Sequence, residues 1–128
     1  MSPIKMQKAE SAIRLVVELL NAKNEHDIEG IVRLLNDECI LEDSSSMRKN
    51  ENYKGKEEIR IHFQELFSKR KNIMYQTEEL VGFGHRCILR YKSKWIDEEG
   101  KEVTERRMDS FKEENETIIE ILSYIKSK

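Results

Sequence analysis

Proline is almost missing from this 128-residue chain. It occurs once, as Pro3, so no proline-rich stretch marks a linker, and a single domain spanning 1–128 is expected, long enough to bury one core. The five glycines are scattered and form no phosphate-cradling loop, and no serine elbow appears. Positive charge is not in excess: 23 Lys and Arg stand against 25 Asp and Glu, for a net charge of −2, and the two signs are interleaved. That pattern argues against a nucleic-acid partner or an anionic membrane surface, which call for a concentrated basic face. No apolar run approaches membrane-spanning length, and Met1 to Met6 lacks the apolar core of a signal peptide, so no membrane partner and a cytoplasmic location are expected.

Cysteine is scarce too. Cys39 and Cys87 both sit inside apolar, strand-like runs, where the expected role is a buried core thiol rather than a disulfide or a nucleophile. His26, His62 and His85 show no metal-ligand spacing with one another or with the cysteines, so no metal and no cofactor are implied. His62 lies on the apolar side of a helical segment near Ile59 and Leu66, either lining a pocket or satisfied within the core.

What is present is periodicity. Only 38% of residues are hydrophobic and mean hydropathy is −0.73, but the apolar positions recur regularly, which indicates a well-solvated globule rather than disorder. Ile13, Val16, Val17 and Leu20 predict a helix from about Met6 to Lys23. Asp27 is placed to cap a short second helix striped by Ile28, Ile31, Val32 and Leu35. A strand at 38–42 ends at Asp43, and the polar stretch Ser44 to Asn52 reads as a mobile loop. Gly55 then precedes a third helix, whose buried stripe is Ile59, Phe63, Leu66 and Phe67.

The second half changes period. A strand near Ile73 to Phe83 is followed by Cys87, Leu89, Tyr91, Ser93 and Trp95 on one face of another, and Asp97-Glu98-Glu99-Gly100 turns the chain back. A strand over Glu102 to Phe111 and the turn Glu113-Glu114-Asn115-Glu116 lead into a last strand, Thr117 to Ile125. Three helices followed by a curled, mostly antiparallel sheet make the class α+β. The last strand is apolar on both faces, with Ile118, Leu122 and Tyr124 on one and Ile119, Ile121 and Ile125 on the other. No helix remains to cover the outer face, so a homodimer packed sheet to sheet is expected, the alternative being a strand buried between loops.

In order and spacing these elements resemble the NTF2-like superfamily, in its SnoaL-like and ketosteroid-isomerase-like branch, most closely over Asp27 to Asp43, Gly55 to Phe67 and Gly100 to Tyr124. The resemblance implies an NTF2-like cone holding one small apolar or carbonyl-bearing molecule between helices and sheet. In the ketosteroid isomerases an aspartate ending the first strand shuttles a proton between two substrate carbons, and Asp43 falls on that position. A later-strand aspartic acid donates to the enolate oxygen there, and Asp109 falls at its place. The tyrosine that shares this oxyanion hole is replaced by Leu19, a loss worth about 3–4 kcal/mol unless another donor takes over. Tyr91 and Tyr124 are candidate replacements.

Leu19, His62, Phe63, Leu89, Tyr91, Trp95, Leu122 and Tyr124 are the expected pocket lining. Two readings of each aspartate stay open. Asp43 is either a base or the anchor of the serine turn that follows. Asp109 is either a neutral donor or pairs with Arg107 on the same strand face, which would keep it ionised. Arg107-Met108-Asp109 also has the Arg-x-Asp pattern of an epoxide-opening branch, but the last strand lacks that branch's second aspartate. Isomerisation or related proton transfer with Asp43 as base, and a non-catalytic ligand-binding or dimerisation module, are the two functions consistent with the sequence.

Overall fold

The computed structural model describes residues 3–44 and 51–126. In chain order the elements are α1 (Pro3–Asn24), α2 (Ile28–Arg33), β1 (Leu35–Asp43), β2 (Glu51–Lys54), α3 (Lys56–Lys69), β3 (Lys71–Phe83), β4 (Arg86–Ile96), β5 (Glu102–Glu114) and β6 (Thr117–Ile125). The strands form one curled sheet in the order β2-β1-β6-β5-β4-β3, antiparallel except for the β1–β6 pair. α1 packs across β3 to β6 and α3 over β1 to β3, so the helices gather on the concave face. The chain is therefore α+β, as its periodicity indicates.

Local chemistry accounts for the element ends. The Asp27 side chain accepts a hydrogen bond from the Gly30 backbone at 2.9 Å and caps α2 as expected. Gly55 precedes α3 at φ +88°, a conformation that disfavours side-chain-bearing residues. Asn115 and Glu116 both take positive φ between β5 and β6, the geometry that matches a two-residue turn to strand twist.

Three expectations need correction. In α1 the buried stripe is Ala12, Leu15, Val16, Leu19, Leu20 and Lys23, whereas Val17 is exposed; counting only large apolar side chains passes over both Ala12 and Lys23. Glu51 and Asn52 belong to a strand, not to a loop, because β2 pairs with the end of β1. The rest of that expected loop, residues 45–50, lies outside the described residues. In β6 the two faces are not those of strict alternation. Pairing with β5 shifts register between Lys112 and Glu113, where Glu120 and Ile118 are successive partners, so one extra β6 residue is inserted. Such a bulge reverses the faces. Ile118, Ile121 and Ser123 all point inward, and Leu122 and Tyr124 outward.

The core lies between α1, α3 and the concave face, with Ile31, Leu35, Ile59, Ile73, Leu89 and Ile118 fully buried. Each such side chain contributes about 1.5–3 kcal/mol by leaving water. Cys39 and Cys87 are free and buried, and burial pushes their thiols up to about 12 and about 11, so neither is an activated nucleophile.

Candidate functional site

Strand register sets one row of polar side chains across the concave face. Asp43 on β1 is the register partner of Ser123 on β6, and Ser123 is opposite Asp109 on β5. One step along, Tyr91 on β4 faces Arg107 on β5. These five close into a network. Ser123 Oγ donates to Asp109 Oδ1 at 2.6 Å, and the Tyr91 hydroxyl lies 3.1 Å from both Asp109 oxygens. Arg107 Nη1 donates to Asp43 Oδ1 at 3.1 Å and to Ser123 Oγ at 3.2 Å, while its Nε bonds Glu105. Of the two readings of Asp109, the direct pairing with Arg107 does not occur. The guanidinium sits on Asp43 and Glu105, and reaches Asp109 through the Ser123 hydroxyl.

A cavity of about 40 Å³, space for a few waters, opens against this network. Leu19 and Lys23 line it from α1, His62 and Phe63 from α3, and Tyr75 and Tyr91 from the sheet. Lys23 is 7% exposed, and its Nζ stands over the rings of Tyr75 at 4.1 Å and Tyr91 at 5.2 Å. Burial lowers its ammonium to about 8, against the opposing pull of Asp109. Burial also raises Asp109 above the ordinary aspartate value, although Lys23, Ser123, Arg107 and Tyr91 all act the other way. His62, pushed down by burial to about 4, is neutral at physiological pH.

The expected lining divides accordingly. Leu19, His62, Phe63, Tyr91, Asp43 and Asp109 come together around the cavity. Leu89 and Trp95 share the inward face of β4 but belong to the packed core; Trp95 carries the Arg70 guanidinium 4.4 Å above its ring, and Arg70 is the group that reaches the cavity. Leu122 and Tyr124 lie on the outer face for the register reason given above, which leaves Tyr91 as the tyrosine beside Asp109. Lys23, Arg107 and Ser123 are site residues absent from the expected set. The signal for Lys23 is its place one helical turn after Leu19 on the buried stripe. For Ser123 it is a small polar residue in an otherwise apolar strand.

Among the described residues no cluster of His, Cys, Asp or Glu is arranged to hold a metal ion, and no helix is long and apolar enough to cross a membrane. Roomier hollows lie elsewhere, one of about 410 Å³ on the outer face bordered by Arg90, Met108 and Tyr124, and one of about 260 Å³ beside the site, bordered by Asp43, Tyr53, His62 and Arg70.

A family model described as the SnoaL-like domain matches residues 16–121. A search of curated proteins found none that matches. Among solved structures, Bal32a from a soil-derived mobile gene cassette superposes with a TM-score of 0.83 at 17% identity, covering 92% of this chain and 91% of that one. An NTF2-like protein of unknown function from Burkholderia pseudomallei gives 0.80 at 15% identity, covering 91% of each chain. An LEH-like epoxide hydrolase from M. tuberculosis gives 0.78 at 16% identity, covering 92% of this chain and 84% of that one. At these identities the superpositions show a shared NTF2-like fold.

Proposed function

Since the chain belongs to the SnoaL-like domain family, we propose that its cone binds one small carbonyl-bearing molecule and moves a proton on it, with Asp43 as base. The observation that carries this reading is the pairing of two unlike carboxyl groups in one cavity. Asp43 stands near the rim, ion-paired with Arg107, and is suited to remain a carboxylate. Asp109 is sealed at the back, with burial favouring its protonated form, and a neutral acid there donates a hydrogen bond to a developing enolate oxygen. Tyr91 supplies a second hydroxyl beside Asp109, taking over from the tyrosine that Leu19 displaces. The cavity of about 40 Å³ restricts the ligand to a few heavy atoms unless side chains move.

That small volume also favours a second reading, a binding module in which the polar network specifies the fold without turnover. The test is exchange of the α-hydrogens of propanal in deuterated buffer, followed by proton NMR. Exchange accelerated by the protein, and lost in Asp43→Asn, supports proton transfer; no acceleration leaves the binding module.

The outer face fits association with a second copy. Val81, Ile88, Ser110 and Leu122 form one cross-strand row, and Arg90, Met108 and Tyr124 the next, with Val81, Met108 and Tyr124 exposed. An isologous contact across this face would cover them.

A further inference from the structure

The least expected group in the cavity is the Lys23 amine. It is almost fully buried, and among the described residues its Nζ has aromatic faces for neighbours and no hydrogen bond or ion pair. Groups facing it from the surrounding elements are Asp109 and Arg107 on β5, Asp43 on β1, Arg70 after α3, and the Tyr75 and Tyr91 rings. A solvated lysine prefers water to such a place, because ammonium is strongly hydrated. A desolvated lysine free of hydrogen bonds is an amine nucleophile, the state that reacts with carbonyl carbon.

We propose that Lys23 captures the carbonyl carbon of the small molecule bound in this cavity, forming an imine between Nζ and that carbon. This deepens the carbonyl reading of the cavity and rests on it. The Nζ lone pair adds to the carbonyl carbon, the nitrogen gives up one proton and the carbonyl oxygen takes one up. Loss of that oxygen as water, with a further proton, leaves a protonated imine. Asp43 then removes an α-proton, and the C–H electron pair moves toward nitrogen to give a neutral enamine. In this sequence the positively charged nitrogen is the electron sink. On this covalent route the nitrogen takes the charge that the Asp109 and Tyr91 donors would otherwise stabilise on an enolate oxygen. Asp109, close enough to act electrostatically on Lys23, is placed to exchange the protons that imine formation requires.

The test uses the unmodified protein with propanal and cyanoborohydride, which delivers hydride to the imine carbon and fixes the adduct as a secondary amine. Peptide mass mapping then compares Lys23 with the exposed Lys101. At pH 7, Lys23 should gain one propyl group at least about tenfold faster than Lys101, because the depression to about 8 leaves it about 300-fold more free amine than an ordinary lysine. Equal or slower labelling of Lys23 would overturn the proposal. Asp43→Asn should leave this labelling intact while abolishing α-hydrogen exchange. Exchange that persists without Lys23 labelling sinks the imine alone; labelling without exchange sinks the proton-transfer role of Asp43 alone.

Discussion

Replacing Lys23 by methionine separates the cost of its charge from the value of its packing. Methionine keeps an unbranched apolar stem and removes the amine. Burial depresses the Lys23 ammonium from 10.5 to about 8, so stability associated with the neutral amine is fully present above 10.5 and is lost as pH falls through about 8. At pH 7 the folded protein therefore holds this ammonium at a cost of about 3 kcal/mol, the free-energy equivalent of that depression. At pH 10 the same linkage leaves a cost of about 1 kcal/mol, since the folded amine is then neutral while the unfolded lysine is still about three-quarters protonated. Lys23→Met is accordingly expected to be more stable than the parent by about 3 kcal/mol at pH 7 and by about 1 kcal/mol at pH 10. Urea unfolding followed by Trp95 fluorescence at the two pH values measures both differences. A variant less stable than the parent at pH 7, or one whose advantage is the same at both, would refute the assignment of Lys23 as a desolvated charge.

Asp43→Asn removes the carboxylate partner of a 6%-exposed Arg107 side chain and should cost about 1–3 kcal/mol in urea unfolding, with Glu105 retaining part of the pairing; no loss would mean the Asp43–Arg107 contact contributes nothing. Tyr124→Glu places a charge at the centre of the exposed outer row, so sedimentation velocity should report a dimer for the parent and a monomer for the variant. A monomeric parent would remove the outer-face association.

The fold was legible wherever one simple rule governed a segment. Alternation in β4 placed Cys87, Leu89, Tyr91, Ser93 and Trp95 on the buried face, because antiparallel pairing on both sides runs through it. Asp27 was readable as a cap because its side chain has a local partner in Gly30. The last strand was not readable by the same rule. Its bulge depends on pairing with β5, a tertiary fact, and it moved Leu122 and Tyr124 out of the site and Ser123 into it. The inward placement of both aspartates of the candidate site was legible, because each ends or faces inward on a well-patterned strand. Lys23 was hidden for the opposite reason: lysine in a helix ordinarily marks the solvent face, and only the position of Ala12, Val16 and Leu19 on the same stripe shows otherwise. The pairing of Arg107 with Asp43 joins strands separated by 64 residues and had no local signal.

The central claim is that Asp109, dry at the back of the cavity, is held above the ordinary aspartate value so that its acid form is favoured, while Asp43 at the rim is paired with Arg107. Carboxyl-carbon NMR titration, with Asp43→Asn and Asp109→Asn to assign the two resonances, measures this without any choice of substrate. The account predicts that Asp109 titrates above the ordinary aspartate value, because burial outweighs Lys23 and its hydrogen bonds. An Asp109 titrating below the ordinary value would make it a buried carboxylate held by Lys23, Ser123 and Tyr91, and would contradict the donor role on which the proposed chemistry depends.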